Sequence, residues 1–190
     1  MSAKVKIIHE GWIESDCVKA HKVPTTSPTI SLIEDGAIVA VVDPGEMPNQ
    51  QILVDALKKE GLEIKEVTHV LVTHSHFDHY RNVGMFPEST IVVEYFGLWA
   101  EGRNKDFLKK FSENIEIISA PGHNYDALSF LIDTKEGKIA VAGDVFWKEN
   151  YPKKDPYATD LNQLEKSRKK ILELADYIIP GHGKMFKVEK

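Results

Sequence analysis

An α/β fold, with two β-sheets flanked by helices in layers, is predicted by three features of this 190-residue sequence. Short apolar runs rich in β-branched residues recur along it. Amphipathic helical segments interrupt them, and the order is β-rich, then β/α, repeated with variation. No low-complexity linker or close repeat divides the chain, so one domain over residues 1–190 is expected.

The elements follow in order. Residues 4–8, 28–33 ("PTISLI") and 37–42 ("AIVAVV") are apolar runs separated by turn formers such as "EDG", and they read as neighbouring strands. In "PNQQILVDALKKEGL", Ile52, Leu53, Ala56 and Leu57 recur at helical spacing between Pro48 and Gly61, which predicts an amphipathic helix packed on a sheet. "VTHVLVTH" then reads as a strand ending at a histidine cluster, with "STIVVE" as the next. Phe107, Leu108 and Phe111 in "KDFLKKF" (105–111) have the spacing of an ordinary surface helix. "IEIIS", "LSFLID" and "KIAVAGD" are three further strands. "LNQLEKSRKKILELA" is a long amphipathic helix, and "YIIPGHG" a last strand running into a turn.

Composition narrows the function. No run of about 18 apolar residues is present, so a membrane-spanning helix is not expected. The N-terminus "MSAKVKIIHEGW" lacks a signal-peptide pattern, and the single cysteine, Cys17, allows no intrachain disulfide; both point to the cytoplasm. A formal net charge of -5 with interspersed charges is not the footprint of a dedicated nucleic-acid binder.

The stretch "HSHFDH" places His74, His76, Asp78 and His79 at the end of a predicted strand. Alternation along an extended segment would point His74 and His76 the same way. Imidazole and carboxylate are the ligands that zinc prefers, and strand ends are where such pockets open. Three more predicted strands run into turns carrying the same ligand types: His123 in "PGHN", Asp144 in "AGDV" and His182 in "PGHG". His9, His21 and His69 lack that context and are not read as ligands.

These motifs, in this order and over essentially the whole chain, resemble the metallo-β-lactamase superfamily. "VVDPG" is similar to an early segment of that family, with Asp43 supporting the site from behind. The resemblance implies a four-layer αββα sandwich and a dinuclear centre. His74, His76 and His123 would hold one ion, Asp78, His79 and His182 the other, and Asp144 would bridge them. Zinc is the expected metal, with iron or manganese as alternatives. Two such ions acidify a shared water and polarise the bond it attacks, so no serine or cysteine nucleophile is required. The core is left modestly positive, which favours a small anionic or strongly polarised substrate. Asp78 is the expected catalytic carboxylate, orienting the water or carrying a proton to the leaving group.

Within that family, an aspartate at 144 argues against a true β-lactamase and a histidine at 76 against the flavodiiron branch. With only a short stretch after His182, a glyoxalase II-type helical domain is not expected. What remains resembles the small hydrolases of esters, thioesters, lactones or phosphoesters. A mononuclear iron persulfide dioxygenase using His74, His123 and Asp144 is the first alternative, and a small RNA nuclease the second. Tyr125 and Trp147 are candidate substrate-binding residues. Phe146 is expected to pack the domain. The polar stretch "WKENYPKKDPY" (147–157) reads as a lid with solvated lysines, and a homodimer that helps build the pocket stays open.

Overall fold

A computed structural model describes residues 2–14, 26–93, 97–100, 103–105, 110–150 and 152–190. Cys17, His21 and most of the predicted 105–111 helix lie outside them. Of that helix, Lys105 ends a strand and Lys110 makes a β-bridge to Glu116.

The first half builds β1 (Lys4–His9), β2 (Trp12–Ile13), β3 (Thr26–Ser27), β4 (Ile30–Asp35), β5 (Ile38–Val42), α1 (Gln51–Lys59), β6 (His69–Leu71), α2 (Phe77–Tyr80), β7 (Thr90–Val93), β8 (Gly97–Ala100) and β9 (Arg103–Lys105). The second half contributes β10 (Ile115–Ser119), β11 (Leu128–Asp133), β12 (Lys138–Gly143), α3 (Leu161–Leu174), β13 (Tyr177–Pro180) and β14 (Phe186–Lys187). Among the described residues, the strands form a seven-stranded sheet in the order β1-β4-β5-β6-β7-β8-β9. A second sheet runs β10-β11-β12-β13-β14, and β2 pairs with β3.

Strand periodicity divides the apolar residues among three layers. Ile33, Ala40, Val42 and Leu71 of the first sheet meet Leu128, Phe130, Ile132, Ile139 and Val141 of the second in the central core. Their neighbours in sequence point the other way. Ile30, Leu32, Val41 and Val70 pack against Leu53 and Leu57 of α1, while Leu131, Ala140 and Ala142 pack against Leu164 and Ile171 of α3. The result is helix, sheet, sheet, helix: the αββα sandwich. Helix α1 buries Leu53, Ala56 and Leu57, but Ile52, expected on the same face, is 36% exposed.

Asp160 starts α3 by accepting hydrogen bonds from the backbone N–H groups of Asn162 and Gln163. Asp160→Ala should therefore lower stability by about 1 kcal/mol. In a thermal melt this corresponds to a fall of roughly 2–4 °C for a chain of this size. An unchanged melting temperature would mean the cap contributes nothing.

The arrangement gathers one end of both sheets. Strands β5, β6 and β7 are parallel, as are β12 and β13. Asp43 follows β5, the histidine cluster follows β6, Asp144 follows β12 and His182 follows the end of β13. Strand β10, antiparallel to β11 as β12 is, delivers His123 to the same edge. No helix among the described residues is long and apolar enough to cross a membrane.

Candidate metal centre

The strand expected to run as far as His74 stops at Leu71. Asp43 is the physical reason: its Oδ1 accepts from the Thr73 backbone N–H at 2.7 Å and its Oδ2 from the Thr73 hydroxyl at 2.7 Å, drawing the chain out of the ladder. His74 and His76 therefore reach the site from a loop, not by strand alternation. Helix α2, a single turn starting at Phe77, then carries Asp78 and His79 inward.

Two groups that could each hold a metal ion result. One nitrogen or oxygen from each of His74, His76, His123 and Asp144 lies within 4.8 Å of the others, and the same holds for Asp78, His79 and His182. Asp144 reaches both groups. Its Oδ1 is 3.3 Å from His79 Nε2 and 3.2 Å from His182 Nε2, and its Oδ2 is 3.4 Å from His123 Nε2.

The hydrogen bonds orient the imidazoles. His79 places Nδ1 2.8 Å from Asp43 Oδ2, His123 places Nδ1 2.6 Å from Asp155 Oδ2, and His182 places Nδ1 2.9 Å from the Ser27 carbonyl. These acceptors cannot donate, so each Nδ1 carries a proton and Nε2 is the atom each ring turns toward the two groups. His74 Nδ1 faces the Thr73 hydroxyl at 3.1 Å, whose own proton goes to Asp43. The buried His74 Nε2, His79 Nε2 and Asp144 Oδ1 have no hydrogen-bond partner among the described residues. Buried polar atoms left so are costly, and a cation among them resolves the cost. The donor set, nitrogen and carboxylate oxygen with each histidine held from behind, fits zinc or a similar ion.

The charges are distributed unevenly. Burial, with His79 close by, holds His74 well below its ordinary range, and burial likewise lowers His76. Burial alone would lower His79 as well, but Asp144, Asp43 and Asp78 outweigh it and hold His79 well above its usual value. Burial would raise the Asp144 carboxyl, yet His182 and His79 keep it well below the usual range. A cation at His79 must displace a proton, so metal affinity should fall as pH is lowered, together with proton release on binding. Metal titrations in two buffers of different ionisation enthalpy check this, and identical heats at both would contradict it.

A family model described as "Metallo-beta-lactamase superfamily" matches residues 23–96. Metallo-beta-lactamase domain-containing protein 1 of Xenopus laevis is 34% identical over 172 residues, covering 85% of this chain and 73% of that protein. The chain belongs to the metallo-β-lactamase superfamily. It is thereby placed among metal-binding hydrolases. It spans 59% of the length of the human relative of the same name, which is 31% identical. The fold agrees with a Thermotoga maritima crystal structure carrying the metallo-β-lactamase label, at a TM-score of 0.78, 21% identity and coverage of 98% and 100% of the two chains. It agrees also with a B. thuringiensis AiiA mutant that has N-decanoyl-L-homoserine bound at its active site. That comparison gives a TM-score of 0.69, 17% identity, and coverage of 95% and 92%.

In this member of the metallo-β-lactamase superfamily a cavity of about 320 Å³ opens over both groups. Ile13, Thr26, Trp147 and Tyr157 line it together with His76, Asp78, His123, Asp144 and His182. Trp147 is thus at the cavity. Tyr125 is 60% exposed and is not among the described lining residues. Phe146 packs in the outer core beside Phe186. His9 pairs with Ser27, and His69 with Thr68, both outside the two groups.

Sequence reasoning missed Thr26, whose hydroxyl lies 3.3 Å from Asp78 Oδ2 and 3.1 Å from His182 Nδ1, as well as Asp155 and Tyr157. The "DPY" in which the latter two occur reads as a turn, and nothing local signals that it faces His123. The stretch expected to form a lid is tied at both ends: the Trp147 carbonyl accepts from His182 N–H at 2.7 Å, and Asp155 holds His123. Lys153 and Lys154 are exposed.

Proposed function

We propose that the chain is a single-domain hydrolase holding two divalent ions, zinc foremost, and acting on a small ester, lactone, thioester or phosphoester. His74, His76 and His123 would hold the first ion, Asp78, His79 and His182 the second, with Asp144 shared. The observation that carries this reading is the convergence of buried His74 Nε2, His79 Nε2 and Asp144 Oδ1, which have no hydrogen-bond partner among the described residues. Bound ions of this kind supply Lewis acidity and a water deprotonated near neutrality.

The protein's own groups would do the rest. Asp43 fixes His79, and Thr26 directs its hydroxyl at Asp78. Asp78, whose side chain is 17% exposed toward the cavity, would orient the attacking water and pass a proton to the leaving group. Ile13, Trp147 and Tyr157 form an apolar wall that excludes water and fits the acyl side of a substrate. A volume near 320 Å³ suits a small molecule. The likeness to a Bacillus N-acyl homoserine lactonase, 24% identical, supports carboxylic esters and lactones ahead of phosphoesters.

A panel of a lactone, an aryl ester, a thioester and an aryl phosphodiester, assayed with wild type and Asp78→Asn, tests the proposal. Turnover of the lactone or ester is expected, with a fall of about 10²–10⁴-fold in the variant. Unchanged turnover in Asp78→Asn would remove that aspartate from the chemistry. Oxygen uptake with a persulfide and no hydrolysis would favour the iron dioxygenase instead.

A further inference from the structure

We infer that Asp155 is a positioning residue: it aims His123 at the first ligand group and ties occupancy of that group to the wall of the cavity. The inference rests on the metal reading of the group. Asp155 lies 32 residues from His123 in sequence, yet its carboxylate is inaccessible to solvent and both of its oxygens are engaged. Oδ2 accepts from His123 Nδ1 at 2.6 Å, and Oδ1 accepts from the Tyr157 backbone N–H at 2.9 Å.

From there the contacts close into a circuit. The Tyr157 ring stacks on Trp147 with centroids 5.6 Å apart and planes at 21°. Trp147 meets the His123 ring edge-on at 6.1 Å and 85°. The circuit therefore runs His123, Asp155, Tyr157, Trp147 and back to His123. The next residues are pinned too, since Thr159 N–H donates to the His123 carbonyl at 3.1 Å.

Two consequences follow from this geometry. With its proton held on Nδ1 by an acceptor that cannot donate, His123 keeps the Nε2 lone pair directed at His76 Nδ1, 2.9 Å away, and at Asp144 Oδ2, 3.4 Å away. Without Asp155 the ring is free to turn and to exchange tautomers. Trp147 and Tyr157 also form part of the cavity wall, so whatever fixes His123 fixes the wall. Reciprocally, a ligand that packs against the wall should tighten metal binding.

Cobalt(II) titration of metal-depleted wild type, Asp155→Asn and Asp155→Ala, read by visible absorption, tests the positioning role. Hydrogen exchange of residues 145–160 with and without cobalt tests the coupling. Asp155→Asn keeps the shape but cannot accept from both His123 and Tyr157, so it guards against a trivial folding defect. We expect cobalt affinity to fall by about 10–100-fold in both variants, with a changed ligand-field spectrum. Exchange in 145–160 should slow on cobalt binding in wild type, and this slowing should be lost in Asp155→Ala. Wild-type cobalt affinity and spectrum in both variants would overturn the inference alone. Exchange in wild type that ignores bound cobalt would overturn the coupling, and a wild type that takes up no cobalt would overturn the metal reading itself.

Discussion

Gly45→Ala should unfold the second ligand group while changing only one methyl. A Cβ at this position would sit 1.6 Å from the Asp78 carbonyl oxygen, 2.7 Å from its carbon and 2.4 Å from Pro28 Cγ. The first two atoms belong to the backbone and cannot turn aside as a flexible side chain would. The contact is also a hydrogen-bonding one, because Glu46 N–H donates to the Asp78 carbonyl and Asn82 Nδ2 donates to the Gly45 carbonyl. Relief requires moving the start of α2, which carries Asp78 and His79. Overpacking of this kind costs about 1–3 kcal/mol or more. The expected result is a lower melting temperature together with the loss of metal from the Asp78, His79 and His182 group. Wild-type stability and metal content in Gly45→Ala would show that the loops are not in the contact described. Gly181→Ala makes a parallel case, since its Cβ would come within 1.8 Å of Asp144 Oδ1.

The second large effect is expected at Asp43. It is buried, it holds the left-handed backbone conformation at φ 51°, and its carboxylate accepts three hydrogen bonds: from Thr73 N–H, the Thr73 hydroxyl and His79 Nδ1. Removing the acceptor leaves buried donors without partners and returns His79 to a choice of tautomers. Asp43→Ala should lose about 3–5 kcal/mol of stability, as when one member of a buried charged pair is removed. Metal affinity should drop by about 10–100-fold. Asp43→Asn separates the two effects. It fills the same space, but its amide cannot accept at both oxygen positions, so metal affinity should fall more than stability does. Denaturant unfolding and metal titration on the same preparations measure both. Equal affinity in wild type and Asp43→Asn would mean that the His79 proton is not held from Asp43.

The parts of this molecule legible in the sequence are those dictated by local pattern. β-branched runs became strands with nearly the expected bounds: Ile115–Ser119 and Leu128–Asp133 coincide with "IEIIS" and "LSFLID". The candidate ligand residues could be picked out because each of their segments follows an apolar run. What the sequence hid is long-range. Strand β6 stops short of His74 because a carboxylate 30 residues earlier captures Thr73, and no local pattern announces that. Strands β8 and β9 extend the sheet over residues 97–105, where the sequence was assigned no strand; the helical spacing begins only at Lys105. Asp155 looked like one more charge in a lysine-rich loop, and only folding shows it buried behind His123. Tyr125, two residues from His123, turns outward; Tyr157, 34 positions beyond His123, lines the cavity. Proximity in sequence to a ligand is thus a poor guide to the cavity wall, because loops turn within one or two residues.

The proposed function requires that these side chains hold two metal ions through a shared aspartate. Elemental mass spectrometry of protein purified without added metal, for wild type and Asp144→Ala, tests it most directly. About two zinc or manganese ions per wild-type chain are expected of a two-metal site, with a clear fall in the variant. Metal content that is the same in both proteins, or no retained metal in wild type, would contradict it.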